Sequence, residues 1–270
     1  LTPRIDDLDD LNDLKKGRKP ASVRLDQLLV QRGLFASREA ARRAVMAGTV
    51  EVEGRRVDKP GTAVREESRL EVVGQREPFV SRAGRKLAAA LDHFEVDFPD
   101  IDPAGRVCLD VGASTGGFTD CLLQRGAARV YALDVGYGQL DLRLRNDPRV
   151  VVLDRINARN LPAGALPETC GLITVDVSFI SLLKVVPALL PHLAPGGLLL
   201  PMIKPQFEAG RGAVGKGGIL RDEALRRRVI EECAAGLAAL GLEPLGLFDS
   251  PVAGTGGNRE AFSLFRRRET

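Results

Sequence analysis

The sequence predicts an α/β protein: a mainly parallel sheet with helices on both faces, preceded by a small α+β unit. Three observations lead there. From Arg106 onward, short apolar runs alternate with helical patterns, the mark of βαβ units. Before that, two helical stretches are followed by short pieces of alternating polarity. The length of 270 residues, 44% of them hydrophobic, fills one or two cores. Aromatic residues make up only 4% and Trp is absent, so those cores rest on Leu, Val and Ala.

Three segments are expected: a flexible tail over 1–21, a compact unit over 22–76 and a larger one over 77–270. The tail carries an acidic cluster (Asp6, Asp7, Asp9, Asp10) and then a basic one (Lys15, Lys16, Arg18, Lys19), with little that could form a core. In the second segment, Ser22 is expected to cap a helix through Leu25, Leu28, Leu29 and Val30 that ends at Gly33. Ser37 starts a second helix, Arg38 to Met46, stopped by Gly48. Short strands follow at Val50–Glu53, Val57, Val64 and Leu70–Val73.

In the third segment a helix is predicted from Lys86 to Phe94. Strands are predicted at Val107–Val111, Val130–Asp134, Val150–Leu153, Leu172–Val175, Gly197–Ile203, Glu243–Phe248 and Ala261–Phe265. The longest helix runs from Glu223 to Leu240.

The bulk numbers exclude some classes. With 39 basic and 36 acidic residues the net charge is +3, too small to indicate nucleic acid by itself. Cys108, Cys121, Cys170 and Cys233 form no C-x-x-C pair, and two His residues cannot complete a zinc site with them. Buried, reduced thiols and no metal are therefore expected. The most apolar stretch, Val185 to Ile203, is broken by His192, by prolines and by Gly196-Gly197, so no spanning helix is expected. No signal-like segment opens the sequence, and a soluble cytoplasmic protein is the expectation.

The local distribution of charge is more telling. The second helix puts Arg38, Arg42 and Arg43 on one side, with Arg55 on the turn that follows and Arg24 at the start of the unit. Guanidinium forks match phosphate oxygens, although a solvated helix face is the plain alternative. The stretches Arg24-Leu25-Asp26-Gln27-Leu28-Leu29, Ser37-Arg38-Glu39-Ala40-Ala41-Arg42 and Ala47–Gly54 resemble the S4 RNA-binding domain. That resemblance implies RNA binding through this face. Arg82 and Arg85, ahead of the larger unit, are candidates for the same role.

Val107-Cys108-Leu109-Asp110-Val111-Gly112-Ala113-Ser114-Thr115-Gly116-Gly117-Phe118 reads as strand, glycine loop and helix. Its glycine spacing departs from G-x-G-x-x-G, which disfavours a pyrophosphate-binding dinucleotide site. An acid ending the first strand suits a ligand with a positive amino-acid moiety, such as S-adenosyl-L-methionine. Asp110, Gly112, Ser114, Gly116, Gly117 and Phe118 are its candidate contacts. Asp134, closing the next strand, is placed for ribose hydroxyls. Asp154, or alternatively Asn157, is placed for the adenine amino group. A tight turn with capping carboxylates is the plain alternative.

Asp176 and Lys204 end the fourth and fifth apolar strands, where an unpaired lysine would be costly. An ion pair that only orders the cleft is the plain reading of these two. With Lys86 and Glu260 they form, in chain order, a set that resembles the Lys-Asp-Lys-Glu tetrad of the FtsJ-like ribose 2'-O-methyltransferases. From about residue 22 to 268 the chain is similar to the haemolysin A/TlyA family of ribosomal RNA 2'-O-methyltransferases. Phe79–Leu87, Asp176–Leu182, Lys204–Glu208 and Gly215–Gly218 carry that similarity. The resemblance implies a Rossmann-like class I methyltransferase fold with a seven-stranded sheet, S-adenosyl-L-methionine as cofactor, and ribosomal RNA or ribosomal subunits as partner, with cytidine as the target.

In that reading Lys204 is the base or steers the hydroxyl, Lys86 holds the hydroxyl or a phosphate, and Asp176 and Glu260 orient the lysines. Asp176 also counts among the cofactor contacts. No Cys follows Asp176 or Lys204 closely, against 5-methylcytosine chemistry. Asp176-Val177-Ser178-Phe179 stands where base-amino enzymes commonly carry N-P-P-Y. Phe118, Phe179 and Phe207 are stacking candidates, with core packing the more frequent role for such residues. Gly210–Gly218, with Arg211, Lys216 and Arg221, reads as a mobile loop near the cleft able to close over RNA, with a plain flexible connection as the equal alternative. Arg226–Arg228 and Arg266–Arg268 are within the chemistry of phosphate contacts but read better as solvated helix and tail surface. Two rival functions stay open: an RNA-binding protein with an inactive methyltransferase fold, and a membrane-active protein of the kind the haemolysin name suggests. Monomer and dimer are both compatible with the sequence.

Overall fold

The computed structural model describes residues 22–73, 78–210, 215, 218–254 and 257–269. The tail expected over 1–21 and most of the glycine-rich loop, including Arg211 and Lys216, lie outside the described residues. The chain divides into two compact units, Leu1–Arg76 and Glu77–Thr270.

In the first unit, strand β1 (Ser22–Arg24) precedes helices α1 (Leu25–Gln31) and α2 (Arg38–Met46). Strands β2 (Val50–Val52), β3 (Arg55–Arg56), β4 (Ala63–Arg65) and β5 (Leu70–Val72) follow. β1 pairs with β4, and β3, β2 and β5 form a three-stranded sheet. Leu25, Leu28, Leu29, Ala41, Val45, Val50 and Val64 make the core.

Ser22 does not cap α1, contrary to expectation. It lies in β1, paired with Arg65. The first amides of α1 find backbone acceptors instead: Leu25 N donates to Thr62 O (2.9 Å) and Asp26 N to Pro60 O (3.0 Å). Ser37 does cap α2, its hydroxyl accepting from Ala40 N at 3.2 Å.

The second unit opens with helix α3 (Ala83–Glu95), which begins three residues before Lys86. Then come β6 (Val107–Val111), α4 (Gly117–Gln124), β7 (Arg129–Asp134), α5 (Leu142–Arg145), β8 (Val150–Asp154), β9 (Cys170–Val175) and α6 (Leu182–Leu189). The chain continues through β10 (Leu193–Ile203), α7 (Pro205–Glu208), α8 (Glu223–Ala238), β11 (Leu242–Asp249) and β12 (Ala261–Arg267). The seven strands run in the order β11-β12-β10-β9-β6-β7-β8. β10, β9, β6, β7 and β8 are mutually parallel, and β12 is antiparallel to both neighbours.

Both sheet faces are covered, which is why the strands are nearly continuous apolar runs. One face packs Leu109, Ile173, Leu199 and Phe265 with residues of α6 and α8. The other packs Cys108, Leu172, Met202 and Phe262 with residues of α3 and α4. Among the described residues no helix is long and apolar enough to cross a membrane.

Two of the basic runs are not plain surface. Arg226 is only 3% exposed; it donates to Arg259 O (3.1 Å) and pairs with Glu223 (3.0 Å) and with Asp249. Arg266 pairs with Asp100 at 2.8 Å, and Arg267 donates to Leu190 O at 2.9 Å.

Candidate active site

The chain runs from β6 outward to β7 and β8, then crosses to β9 on the other side of β6. A strand order that reverses this way leaves a crevice at the carboxyl ends of the strands. Side chains alternate between faces. Cys108, Leu172, Met202 and Phe262 turn toward α3 and α4. The same parity carries Asp110, Asp134, Asp176, Lys204 and Glu260 to that face at the crevice end.

The loop after β6 is bent by three left-handed residues: Gly112 (φ 86°), Ser114 (φ 50°) and Gly116 (φ 101°). At Gly112 an added Cβ would lie 2.4 Å from Asp176 O, so only glycine lets the loop meet the end of β9. Asp176 N donates to Val111 O at 2.8 Å across the same junction. Asp134 straps the loop from the other side. It accepts from Ser114 N (2.8 Å) on one oxygen and from Gly136 N (2.7 Å) on the other, which leaves each oxygen a second lone pair.

Gly116 and Gly117 answer to packing. A Cβ on Gly116 would meet Leu144 Cδ1 at 2.3 Å, and one on Gly117 would meet Ser81 Oγ at 2.3 Å. The Phe118 ring is buried against Phe262, with centroids 6.0 Å apart, so its side chain serves the core rather than a ligand. Asp154 pairs with Arg145 at 2.7 Å and accepts from Gly138 N at 3.2 Å; these bonds hold its carboxyl below the usual range. Asn157 caps a short 3-10 turn by accepting from Arg159 N at 3.1 Å.

Asp110 lies one residue before the end of β6 and is fully buried. Thr119 Oγ1 donates to its Oδ2 at 2.6 Å. Burial pushes this carboxyl up to about 7; the Thr119 bond opposes that rise, and the charges of Asp176 and Asp134 add to it.

The four tetrad candidates resolve into two ion pairs. Lys204 Nζ lies 2.6 Å from Asp176 Oδ1 and donates to Ser178 Oγ at 2.9 Å. Lys86 Nζ lies 2.5 Å from Glu260 Oε2, with the two residues 6% and 3% exposed. Ile203 of β10 pairs with Ala261 of β12, so Lys204 and Glu260 occupy the next rung of the same ladder. Gly254 backs Glu260: a Cβ there would lie 2.3 Å from Oε1.

Among the described residues, the buried side-chain polar atoms without a hydrogen-bond partner are Asp110 Oδ1, Thr174 Oγ1, Asp176 Oδ1 and Gln206 Oε1. Asp176 Oδ1 has only the charge contact with Lys204. All four belong to residues at the carboxyl ends of β6, β9 and β10 or just beyond. Such a cluster of acceptors suits a ligand rich in N–H and O–H donors.

Phe179 departs from the core role expected of it. It is 89% exposed, holds a left-handed φ of 64°, and packs its ring 4.9 Å from that of Phe207, just past Lys204. A non-glycine residue held there stores strain of about 1–3 kcal/mol, which concentrates at ligand-binding sites.

In the first unit Arg38, Arg42, Arg43 and Arg55 are exposed. Sequence reasoning missed Asp26, a fully buried carboxylate on the first turn of α1. It accepts two bonds from Arg24 at 3.0 Å and one from Arg38 at 3.2 Å, and these hold its pKa down at about 2. In the second unit Arg82 and Arg85 are exposed at the start of α3.

Comparison with known proteins agrees with these features. A model for FtsJ-like methyltransferases matches residues 79–267, and one for the S4 domain matches residues 23–70. The 16S/23S rRNA (cytidine-2'-O)-methyltransferase TlyA of Mycobacterium tuberculosis is 47% identical over 249 residues, 92% of this chain and 91% of that protein. Hemolysin A of Brachyspira hyodysenteriae is 41% identical over 244 residues, 90% of this chain and 99% of that protein. A solved structure from Streptococcus thermophilus is 39% identical, covers 92% of this chain and 90% of that one, and has a TM-score of 0.71. The chain belongs to the TlyA/hemolysin A family, in which an S4 domain precedes an FtsJ-like methyltransferase domain.

Proposed function

We propose that the chain methylates a ribose 2'-hydroxyl of ribosomal RNA, at cytidine, with S-adenosylmethionine as donor, and that it works where ribosomes are found, in the cytoplasm. The observation that carries this reading is Lys204: an amine fixed by Asp176 and Ser178 at the crevice end of β10, beside a cluster of unsatisfied acceptors.

The acceptors fit the donor compound. Asp110 and Asp176 suit its ammonium, Asp134 its ribose hydroxyls, Gly112 and Ser114 the close approach of its chain, and Asp154 or Asn157 its adenine. When bound, the cofactor supplies an electrophilic methyl group on cationic sulfur. The protein's own work is positional. Lys204 steers the 2'-hydroxyl, Asp176 and Ser178 fix the direction of its amine, and Lys86, held by Glu260, contacts the hydroxyl or an adjacent phosphate. Phe179 offers an open ring face for a nucleobase. Residues 22–76 act as the RNA-binding domain through Arg24, Arg38, Arg42, Arg43 and Arg55, with Arg82 and Arg85 adding phosphate contacts, and residues 77–270 are the catalytic domain.

The test is Lys204→Ala. Methyl transfer to ribosomal RNA should fall by on the order of 10²–10⁴-fold, while S-adenosylhomocysteine binds as it does to the unaltered protein. Substantial turnover in that variant would remove Lys204 from the reaction.

A further inference from the structure

Thr119 has no counterpart in the tetrad or among the loop residues, yet its hydroxyl donates to the buried Asp110 carboxyl, and its backbone bonds to the same group. Both residues are fully buried. Thr119 is the third residue of α4, whose start is locked by the packing of Gly116 and Gly117. Its hydroxyl is thereby aimed at Asp110 Oδ2, and Oδ1 is left without a partner. On the other side, Thr174 of β9 stands in register with Asp110, and its own hydroxyl also lacks a partner.

We infer that Thr119 is a positioning residue for cofactor recognition: it grips one oxygen of the Asp110 carboxyl and favours its ionised form, leaving the other oxygen for the ammonium of an amino-acid-bearing ligand, so that recognition follows the ionisation of Asp110. The inference rests on reading the crevice as an S-adenosylmethionine site.

The charged groups around Asp110 do not do this work. Asp176 at the end of β9 and Asp134 at the end of β7 oppose ionisation. On α4 itself, Asp120 accepts from Val80 N. The Lys204 amine is taken by Asp176, and that of Lys86, on α3, by Glu260. Burial pushes the carboxyl up to about 7, and the bond from the Thr119 hydroxyl is the main influence in the opposite direction. Affinity for a ligand bearing an ammonium should therefore rise as pH increases through about 7. It should fall again only at more alkaline pH, once the ligand's own amine, whose adjacent carboxylate holds its pKa above that of a peptide α-amino group, loses its proton.

The experiment compares the full-length protein with Thr119→Val and Thr119→Ser by titration calorimetry between pH 5.5 and 8.5. The probes are S-adenosylhomocysteine and 5'-methylthioadenosine, which lacks the amino-acid part. A lost hydrogen bond to a charged group corresponds to at least about tenfold in affinity. The expected result is that T119V binds S-adenosylhomocysteine about tenfold more weakly at pH 6.5, with its acid limb moved upward. T119S should keep the original limb, and methylthioadenosine should bind all three proteins alike at every pH. An unshifted limb in T119V, or an equal loss with methylthioadenosine, overturns the inference.

If T119V does not fold, the unaltered protein decides. Its binding of S-adenosylhomocysteine at pH 6.5, run in buffers of different ionisation heat, must release protons, and zero release overturns the inference. No binding of either ligand to the unaltered protein would instead overturn the cofactor reading, and the inference with it.

Discussion

Replacing Lys86 by Met leaves the Glu260 carboxylate buried, only 3% exposed, with its cation gone. Removing one member of a buried ion pair costs about 3–5 kcal/mol, because the stranded charge has lost its water without compensation. For a unit of this size that corresponds to a fall in midpoint temperature of roughly 10 °C. Replacing both residues, Lys86→Met with Glu260→Leu, removes the two charges together and should recover most of that loss, since apolar substitutes for a whole buried pair are near neutral or better. Methyl transfer should stay abolished in both variants. With no Trp in the chain, urea unfolding followed by far-ultraviolet circular dichroism reads stability, and transfer of labelled methyl to ribosomal RNA reads activity. The pair of variants separates holding the fold from doing chemistry. A single variant as stable as the parent would refute the energetic reasoning, and an active double variant would refute the assignment of Lys86.

Three further outcomes are expected. Asp26, held at about 2 by Arg24 and Arg38, contributes stability that is complete above about pH 4 and is lost as pH falls toward 2, an amount of about 1 kcal/mol because both arginines are half-exposed and screened by solvent; Asp26→Asn should abolish that acid-side loss, which nuclear magnetic resonance of the α1 amides would show. Gly112→Ala puts a methyl group 2.4 Å from Asp176 O at a φ of 86°, so equilibrium dialysis should find S-adenosylhomocysteine binding lost. Phe179→Ala removes an 89% exposed ring; its melting temperature should not drop, while KM for RNA rises by about tenfold, within the roughly 1–3 kcal/mol that one stacked base is worth.

The parallel strands were legible because burial on both faces writes them as unbroken apolar runs, and Val107–Val111 was read to the residue. The start of the first helix was not. Ser22 has the chemistry of a cap, but the amides it would have served are met by the carbonyls of Thr62 and Pro60, a pairing across the fold that no local pattern records. The α3 boundary slipped for a milder reason: Ala83, Gly84 and Arg85 lack the apolar periodicity that marks a helix interior. The candidate tetrad could be assembled from residue types at strand ends, yet its partition into Lys204 with Asp176 and Lys86 with Glu260 depends on register. Least legible were side chains whose neighbour decides their role. Arg226 sits in a run of three arginines and is the buried one. Phe118 and Phe179 looked alike in sequence; one faces Phe262 in the core and the other faces solvent. Asp26 and Thr119 showed nothing until their hydrogen bonds did.

β12, the single reversed strand, has an effect on when this enzyme can exist. Because it runs against its neighbours, its entrance, not its exit, meets the exits of the others, and Glu260, just ahead of it in the chain, arrives there. Its partner on α3 was synthesised 174 residues earlier. A nascent chain still short of its last strand has therefore made every other catalytic candidate while the Lys86 ammonium has no counter-charge. Competence waits for the segment that carries Glu260 and β12, so fragments that stop short of it would be inert.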